Sequence, residues 1–203
     1  MEATATINTD GYTDIPPAHV AAIVTYLEMC ARPAPPAEPP GVDLELRQEA
    51  MDVARYRGLY RRIGTDWLWN ARLRMADAAL DAILADPAAE VHVPCKDGSM
   101  IGLLELDFRV SGEAEIAYLG LLAEHVGQGY GRWLMNRALE RAWRDGVARV
   151  TVHTCTLDHP SALAFYRRSG FRAYARKLEV FPDPRLNGVL PRDAAPRVPL
   201  IEA

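Results

Sequence analysis

A glycine-rich segment, Gly127-Gln128-Gly129-Tyr130-Gly131, has the composition of a loop that binds phosphate. Glycine lacks a Cβ atom, so backbone N–H groups in such a segment can approach an anion closely. The amphipathic run from Arg132 to Arg144 predicts a helix, whose amino terminus adds free N–H groups and a positive dipole end. The run from Glu115 to Leu121 has the pattern of a strand. The sequence therefore predicts a strand, a pyrophosphate-binding loop and a helix.

Two common phosphate-binding motifs do not fit this loop. A dinucleotide-binding fingerprint lies early in a βαβ unit and is followed by an acidic residue about 20 positions later. Here the loop lies late, and residues 149–156 contain no acid. The lysine followed by Ser or Thr of a P-loop is also missing. A glycine cluster alone can be an ordinary turn. What remains is a third arrangement, in which the loop joins a central strand to a helix.

The surrounding segments predict the elements that must position this loop. Before it we expect a strand near 44–46, helices near 50–62 and 72–84, and an antiparallel meander of strands at 90–94, 101–110 and 113–122. After it we expect the helix over 132–144, a strand over 148–154, a short helix over 160–170 and a last strand over 171–181. The fold class is α/β (α+β), with a mixed, mostly antiparallel central sheet flanked by helices.

The amino-terminal part, residues 1–41, is interpreted as an arm, a helix and a linker that precede a domain over residues 42–203, which ends in a carboxyl-terminal tail. Residues 1–14 lack periodicity and predict a mobile arm. Five prolines within residues 32–41 predict an extended linker.

The predicted amino-terminal helix rests on start signals and apolar spacing. Asp14 and Pro16-Pro17 precede apolar residues at helical spacing, namely Val20, Ile23, Val24, Leu27 and Cys30. The apolar face of such a helix would pack on its own domain or pair with a second copy in a homodimer.

Composition excludes several classes of protein. The chain has 203 residues, of which 49% are hydrophobic and 25% charged, as in ordinary globular proteins. A net charge of −4 argues against a surface that binds nucleic acid. Cys30, Cys95 and Cys155 predict neither a disulfide framework nor a metal site. No apolar run reaches the roughly 18 residues of a membrane span. We therefore expect a cytoplasmic protein with no membrane, nucleic-acid or metal partner.

Two motifs and the order of elements resemble the GCN5-related N-acetyltransferase (GNAT) superfamily over roughly Val42 to Phe181. The glycine loop is similar to the acetyl-CoA pyrophosphate loop, and the run from Ala162 to Phe171 is similar to a second family motif. The resemblance implies transfer of an acetyl group from acetyl-CoA to a primary amine of a small molecule, peptide or protein, by direct attack in a ternary complex. A non-catalytic acyl-CoA-binding regulatory or interaction module is the alternative.

The resemblance also implies which residues bind acetyl-CoA. The strand before the loop splays from its neighbour in that family, so that backbone groups of Leu119, Gly120 and Leu121 would bind the pantetheine arm and polarise the thioester carbonyl. The pyrophosphate would contact Val126, Gly127, Gln128, Gly129, Tyr130, Gly131 and Arg132. Val126 stands where Gln or Arg is usual, which predicts weaker or differently positioned binding there. His159 replaces a frequent Asn and is expected to contact the pantetheine or the acceptor.

Two catalytic residues follow from the same resemblance. Glu115 is similar in position to the glutamate that serves as general base in histone acetyltransferases, and an amine with an ordinary pKa near 10 needs such a base. A solvated strand glutamate, with a water chain as base, is the alternative. Tyr166 is similar to a tyrosine that donates a proton to the departing thiolate; packing is its alternative role. Strand alternation places Tyr118 opposite Glu115 unless the strand bulges.

Other residues allow two readings each. Glu105 and Asp107 share a strand face and would attract a cationic acceptor, or they are simply charges on a polar face. Cys155 would form an acyl-enzyme, or it is a buried structural thiol, which is favoured because the sequence arranges no His and acidic partner around it. Aromatic residues at the junction of the first two helices would form the wall of an acceptor pocket or part of the core: Tyr56, Tyr60, Trp67 and Trp69.

Overall fold

The computed structural model describes residues 7–34, 37, 39 and 41–202, which form one mixed sheet flanked by helices. The strands are β1 His19–Met29, β2 Glu45–Gln48, β3 Ala89–Lys96, β4 Ser99–Met100, β5 Gly102–Asp107, β6 Glu113–Leu121, β7 Arg149–Cys155 and β8 Arg172–Pro182. The α-helices are α1 Val53–Gly64, α2 Ala71–Arg74, α3 Asp77–Leu84, α4 Tyr130–Ala142 and α5 Ala162–Arg168. The predicted fold class is confirmed.

The sheet runs in the order β2-β3-β5-β6-β7-β1-β8, with β4 paired to β3. Strands β6 and β7 pair in parallel, and the other pairs are antiparallel. The predicted meander of three strands before the glycine loop is present as β3, β5 and β6. The parallel pair therefore lies at the centre of the sheet, and its first strand, β6, precedes the loop.

The predicted amino-terminal helix is wrong, because His19–Met29 form strand β1. This strand pairs with β7 on one side and β8 on the other. The buried residues Val20, Ala22 and Val24 follow a period of two on one face, whereas Ile23 faces the other way and is exposed. Val, Ile and Thr favour strands because their branched side chains are restricted in helices. Residues 1–6 of the predicted arm, and positions 35, 36, 38 and 40 of the predicted linker, lie outside the described residues.

The predicted helix over 72–84 is divided into α2 and α3. Met75 and Ala76 are extended, with ψ of 141° and 146°. The Arg57 guanidinium on α1 donates to the carbonyl oxygens of Arg72 at 3.1 Å and Met75 at 2.5 Å. These bonds satisfy carbonyls that a continuous helix would otherwise use, so the break is supported by a neighbouring side chain.

Two apolar clusters cover the two faces of the sheet. Helices α4 and α5 cover one face, with Leu134, Ala138 and Tyr166 packed on the central strands. Helices α1 and α3 cover the other face, with Tyr56, Tyr60 and Leu80. Among the described residues, no helix is long and apolar enough to cross a membrane. The ends of β6 and β7 emerge between these two layers.

Candidate active site

A cleft opens where β6 and β7 separate. Their parallel pairing runs from Glu113 with Arg149 to Ile116 with Val152 and ends there within the described chain. Both strands continue beyond that point, to Leu121 and Cys155. The gap forms a cavity of about 360 Å³. Leu119 to Leu121 line it while they pair on their other edge with β5, so one edge of this backbone faces the cleft.

Strand β6 bulges beside the cleft. Tyr118 lies opposite Glu105 in β5, whereas Ile116 lies opposite Leu106, so Ala117 is the extra residue. An extra residue reverses the alternation of side chains. Ile116 accordingly packs in the cluster under α4, and Tyr118 packs in the cluster under α1. Glu115 and Tyr118 therefore share a face of the sheet, which regular alternation would have forbidden.

The glycine loop has the backbone of an anion cradle. Gly127 and Gly129 have φ values of +85° and +82°, a region that residues with a Cβ rarely adopt. The first helical turn bonds back to the loop, since Arg132 N and Trp133 N donate to the Gly129 carbonyl at 3.1 and 3.2 Å. The N–H groups before them, at Tyr130 and at its neighbour in the first turn, come too early in α4 for an intrahelical acceptor. They are available to a ligand at the helix amino terminus.

Side chains of the loop play different parts. Val126 and Gly131 line the cleft. The Gln128 side chain donates to the Glu124 carbonyl at 2.9 Å, so this exposed hydrogen bond joins the loop to the segment before it. Tyr130 is buried, with the Lys96 ammonium 5.4 Å from its ring centroid. Arg132 is exposed in the first turn of α4, beside the cradle.

Two glycines test whether the cleft fits a phosphate-bearing ligand. A Cβ atom on Gly131 would meet no described protein atom within 4 Å, so packing does not require glycine there. The open space lies beside the free N–H groups, where a bound anion would need it. At Gly120 a Cβ would lie 2.5 Å from Ile63 Cγ2 and 3.1 Å from Trp69 Cη2, so packing does require glycine. The arrangement fits a phosphate at the loop and an extended arm along β6.

The side chain that faces the cleft beside Glu115 is His153. Glu115 does not line the cleft, but its Oε1 lies 3.1 Å from Nδ1 of His153, which does. The hydrogen bond that His153 donates to Glu115 raises the pKa of His153 above its ordinary value, and the charges of Asp158 and Glu179 add to this effect. Because Nδ1–H donates to the carboxylate, Nε2 of the neutral ring carries the free lone pair. Sequence reasoning missed this pair, since the two residues are 38 positions apart.

Tyr166 lies where the sequence placed it, on α5 and in the wall of the cleft. It is 8% exposed. Burial raises the pKa of its phenol well above the ordinary value, and the charge of Asp158 adds to this. The phenol therefore stays protonated and remains a donor throughout the neutral range.

Asp158 joins the two sides of the cleft, and sequence reasoning did not single it out. Its Oδ2 accepts hydrogen bonds from Thr154 Oγ1 at 2.7 Å and from the Cys155 backbone N–H at 2.8 Å. Its Oδ1 accepts from Trp69 Nε1 at 3.1 Å. The carboxylate thus holds a tryptophan from the loop after α1 against the end of β7.

His159 lines the cleft, as expected from its position before the second motif. Its Nδ1 accepts from the Ser161 backbone N–H at 3.2 Å and lies 2.7 Å from Ser161 Oγ. Because Nδ1 accepts, Nε2 carries the proton of the neutral ring. Its ring meets Trp67 edge to face, with centroids 5.3 Å apart. His159 is therefore held as a hydrogen-bond donor beside an aromatic wall.

Aromatic side chains form the wall opposite α5. Tyr60, Trp67, Trp69 and Tyr118 line the cleft. Tyr118 lies 4.9 Å from Tyr60 and 5.2 Å from Trp69, measured between ring centroids. Tyr56 is fully buried and belongs to the core. Tyr60 thus belongs to the core and also lines the cleft, Tyr56 belongs to the core alone, and the role of the lining rings in an acceptor pocket stays a prediction.

The two acidic residues of β5 are both paired with arginines. Glu105 is no polar-face charge, because it is 1% exposed and binds the Arg72 guanidinium and the Tyr56 hydroxyl. Asp107 pairs with Arg109.

Cys155 lines the cleft and is partly buried. Burial raises the pKa of its thiol to about 11, which disfavours the thiolate that a nucleophile needs.

Solved structures share this architecture. A GCN5-related N-acetyltransferase from Sphaerobacter thermophilus is 18% identical with a TM-score of 0.58, over 82% of this chain and 52% of that one. A conserved protein of unknown function from Staphylococcus epidermidis is 13% identical with a TM-score of 0.54, over 81% and 63%. The chain thus spans between about half and two thirds of these two proteins. At such identities the likeness shows the fold.

A third structure is shorter. The aminoglycoside acetyltransferase meta-AAC0020 from an uncultured soil metagenomic sample, solved with sisomicin, is 20% identical with a TM-score of 0.51, over 63% of this chain and 87% of that one. No curated protein sequence matches the chain.

A sequence model of the acetyltransferase (GNAT) family matches residues 56–171. This range holds the bulged strand, the glycine loop and α5, and it is more than half of the 203 residues. The family uses acetyl-CoA. The protein therefore belongs to the GNAT acetyltransferase family and is an acyltransferase enzyme.

Proposed function

We propose that this enzyme transfers an acetyl group from acetyl-CoA to a primary amine by direct attack within a ternary complex. The observation that carries the proposal is the cleft itself. One cavity contains the loop side of a phosphate cradle, an edge of free strand backbone and a histidine whose ring is oriented by a carboxylate. Acetyl-CoA would supply an activated thioester at this position.

The cofactor side is assigned to one continuous segment and one residue beyond it. Backbone groups of Leu119, Gly120 and Leu121 hold the pantetheine arm, and a fixed N–H there stabilises negative charge that develops on the carbonyl oxygen. The pyrophosphate binds at the loop residues Val126, Gly127, Gln128, Gly129, Tyr130, Gly131 and Arg132. His159 donates from Nε2 to the arm or to the acceptor.

Proton removal is assigned to His153, with Glu115 as its positioning residue. The proton of the attacking amine passes to Nε2 of His153, because that nitrogen carries the lone pair and its ring lines the cleft. Glu115 fixes the tautomer through Nδ1 and stabilises the imidazolium that forms. The role that sequence resemblance gives to Glu115 thus becomes an indirect one.

Tyr166 is assigned as the donor to the departing thiolate. Its phenol is protonated, buried and in the wall of the cleft. A thiolate is already a tolerable leaving group, so this proton transfer assists the reaction without being essential.

The acceptor is proposed to be a cationic amine of a small molecule or a peptide. Its side of the cleft combines aromatic rings with the carboxylates of Asp158 and Glu179, which suits a cation that must approach a histidine. The aminoglycoside acetyltransferase with the same fold acts on one such class. Net charge and the lack of a basic stripe in the sequence argue against nucleic acid.

Release of free CoA with a panel of polyamines, aminoglycosides, amino acids and peptides tests the proposal. We expect turnover with at least one class, with initial-rate lines that intersect when both substrates are varied. Calorimetry that shows acetyl-CoA binding without turnover of any amine would count heavily against it. Parallel lines, together with loss of activity in Cys155→Ser, would replace direct attack by an acyl-cysteine route.

A further inference from the structure

The carboxyl-terminal segment, residues 183–202, builds the outer side of the acceptor end of the cleft. It follows β8 and lies outside residues 56–171, which the family model matches. An apolar cluster joins it to the cleft: Val20, Ala22, Leu68, Leu157, Phe181, Leu190, Ala194 and Ala195. Leu68, Leu157 and Phe181 of this cluster also line the cleft. The cleft wall at this end therefore rests on a segment outside the range that the family model matches.

A buried ion pair fixes the path of this segment. Arg185 and Asp183 bind each other at 2.6 Å, and each side chain is 2% exposed. The same guanidinium donates to the carbonyl oxygens of Val198 at 2.8 Å and Pro199 at 3.2 Å. A buried guanidinium is tolerated only with such complete pairing. The segment is thus held in one conformation although it contains no helix or strand among its described residues.

Arg197 reaches from this segment to two loops that line the cleft. Its Nη1 donates to the Asp66 carbonyl at 2.6 Å, and its Nη2 donates to the Leu157 carbonyl. Its guanidinium carbon lies 4.6 Å from the ring centroid of Trp67, whose ring also meets His159. Asp66 follows α1, and Leu157 follows β7. One side chain therefore joins the loops that carry the aromatic wall and the end of β7.

We infer that Arg197 is a positioning residue for the acceptor. It fixes the separation between Trp67 and the turn that holds Leu157 to His159, and so sets the width of the acceptor end. Its planar fork can bond both carbonyls while its face stacks on the ring, which a lysine ammonium cannot do. The inference rests on the proposed function, because it assumes that this end of the cleft receives the amine.

The test compares Arg197→Ala and Arg197→Lys with Arg192→Ala as a matched control. Arg192 lies in the same segment and is exposed, and it pairs with Glu202 of that segment instead of the two cleft loops. Hydrogen exchange should become faster over residues 65–70 and 156–161 in Arg197→Ala and remain unchanged at the glycine loop. The KM for the acceptor should rise about tenfold, with kcat within about twofold and an unchanged Kd for acetyl-CoA, whereas Arg197→Lys should lie between. One lost contact of about 1.4 kcal/mol corresponds to this factor.

Two outcomes would overturn the inference. One is unchanged exchange in both loops of Arg197→Ala. The other is an acceptor KM equal to that of Arg192→Ala while exchange rises. Absence of turnover in the wild type, together with faster exchange at both loops in Arg197→Ala, would overturn the proposed function. The conclusion that Arg197 holds the two loops together would still stand.

Discussion

The two ends of the cleft are built in opposite ways. The cofactor end comes from one stretch of chain, Leu119 to Arg132, and offers mostly backbone groups. The acceptor end is assembled from side chains that lie far apart in sequence, among them Trp69, Asp158 and His153. A contiguous backbone site depends on where glycines allow the chain to turn. A discontinuous side-chain site depends on which residues the fold brings together, and its hydrogen bonds set the protonation states.

This contrast predicts that changes at the two ends affect different measurements. The largest expected effect is that of His153→Gln, which removes the proposed proton acceptor. We expect kcat to fall about 100-fold at neutral pH, the lower range for a lost general base. The Kd for acetyl-CoA should stay unchanged in calorimetry. The control is His19→Gln, because His19 does not line the cleft. A kcat within twofold of the wild type would remove His153 from the mechanism.

At the cofactor end, Gly131→Leu should separate binding from folding. The first side-chain atom would enter open space, so the melting temperature should not change, but the side chain would occupy the place of the phosphate. We expect the Kd for acetyl-CoA to rise about 30-fold, or about 2 kcal/mol.

Gly58→Leu is the matched control for that variant. Gly58 also faces open space, on the exposed side of α1. Equal affinities of Gly131→Leu and Gly58→Leu for acetyl-CoA in calorimetry would show that the loop does not bind the phosphates.

Tyr166→Phe should have a smaller effect, because the leaving thiolate can depart without a proton. We expect kcat to fall about tenfold, below the usual range for general acid catalysis, with the acetyl-CoA Kd unchanged. Tyr174→Phe, on the exposed edge strand β8, serves as the comparison in the same steady-state assay. Equal rates for the two variants would assign Tyr166 to packing alone.

The strand, glycine loop and helix of the cofactor end could be predicted from sequence, and the side-chain contacts of the acceptor end could not. Positive φ at Gly127 and Gly129 follows from residue type, so the loop was visible as a pattern. The pairing of Glu115 with His153 depends on the parallel register of β6 and β7, which no local pattern encodes. The bulge at Ala117 likewise needs the partner strand to be known.

Strand β1 was missed for a related reason. Its apolar residues fit helical and strand periods equally over a short run, and its two neighbouring strands lie more than 100 residues later in the sequence. The burial of Glu105 could not be predicted from the local sequence either, because its partner Arg72 lies on another element. Tertiary pairing, in each case, decided between local alternatives.

The most direct test of the account is the pH dependence of kcat/KM in the wild type and in Glu115→Gln. His153 must be neutral to accept a proton, so the rate should fall as pH falls through its pKa. The Glu115 hydrogen bond raises this pKa, and its loss should move the acid limb to lower pH. The profile is measured with two acceptors whose amines differ in pKa. A limb caused by the amine moves between the two acceptors, whereas a limb caused by the enzyme stays in place. An acid limb that stays in place or moves to higher pH in Glu115→Gln would contradict the account.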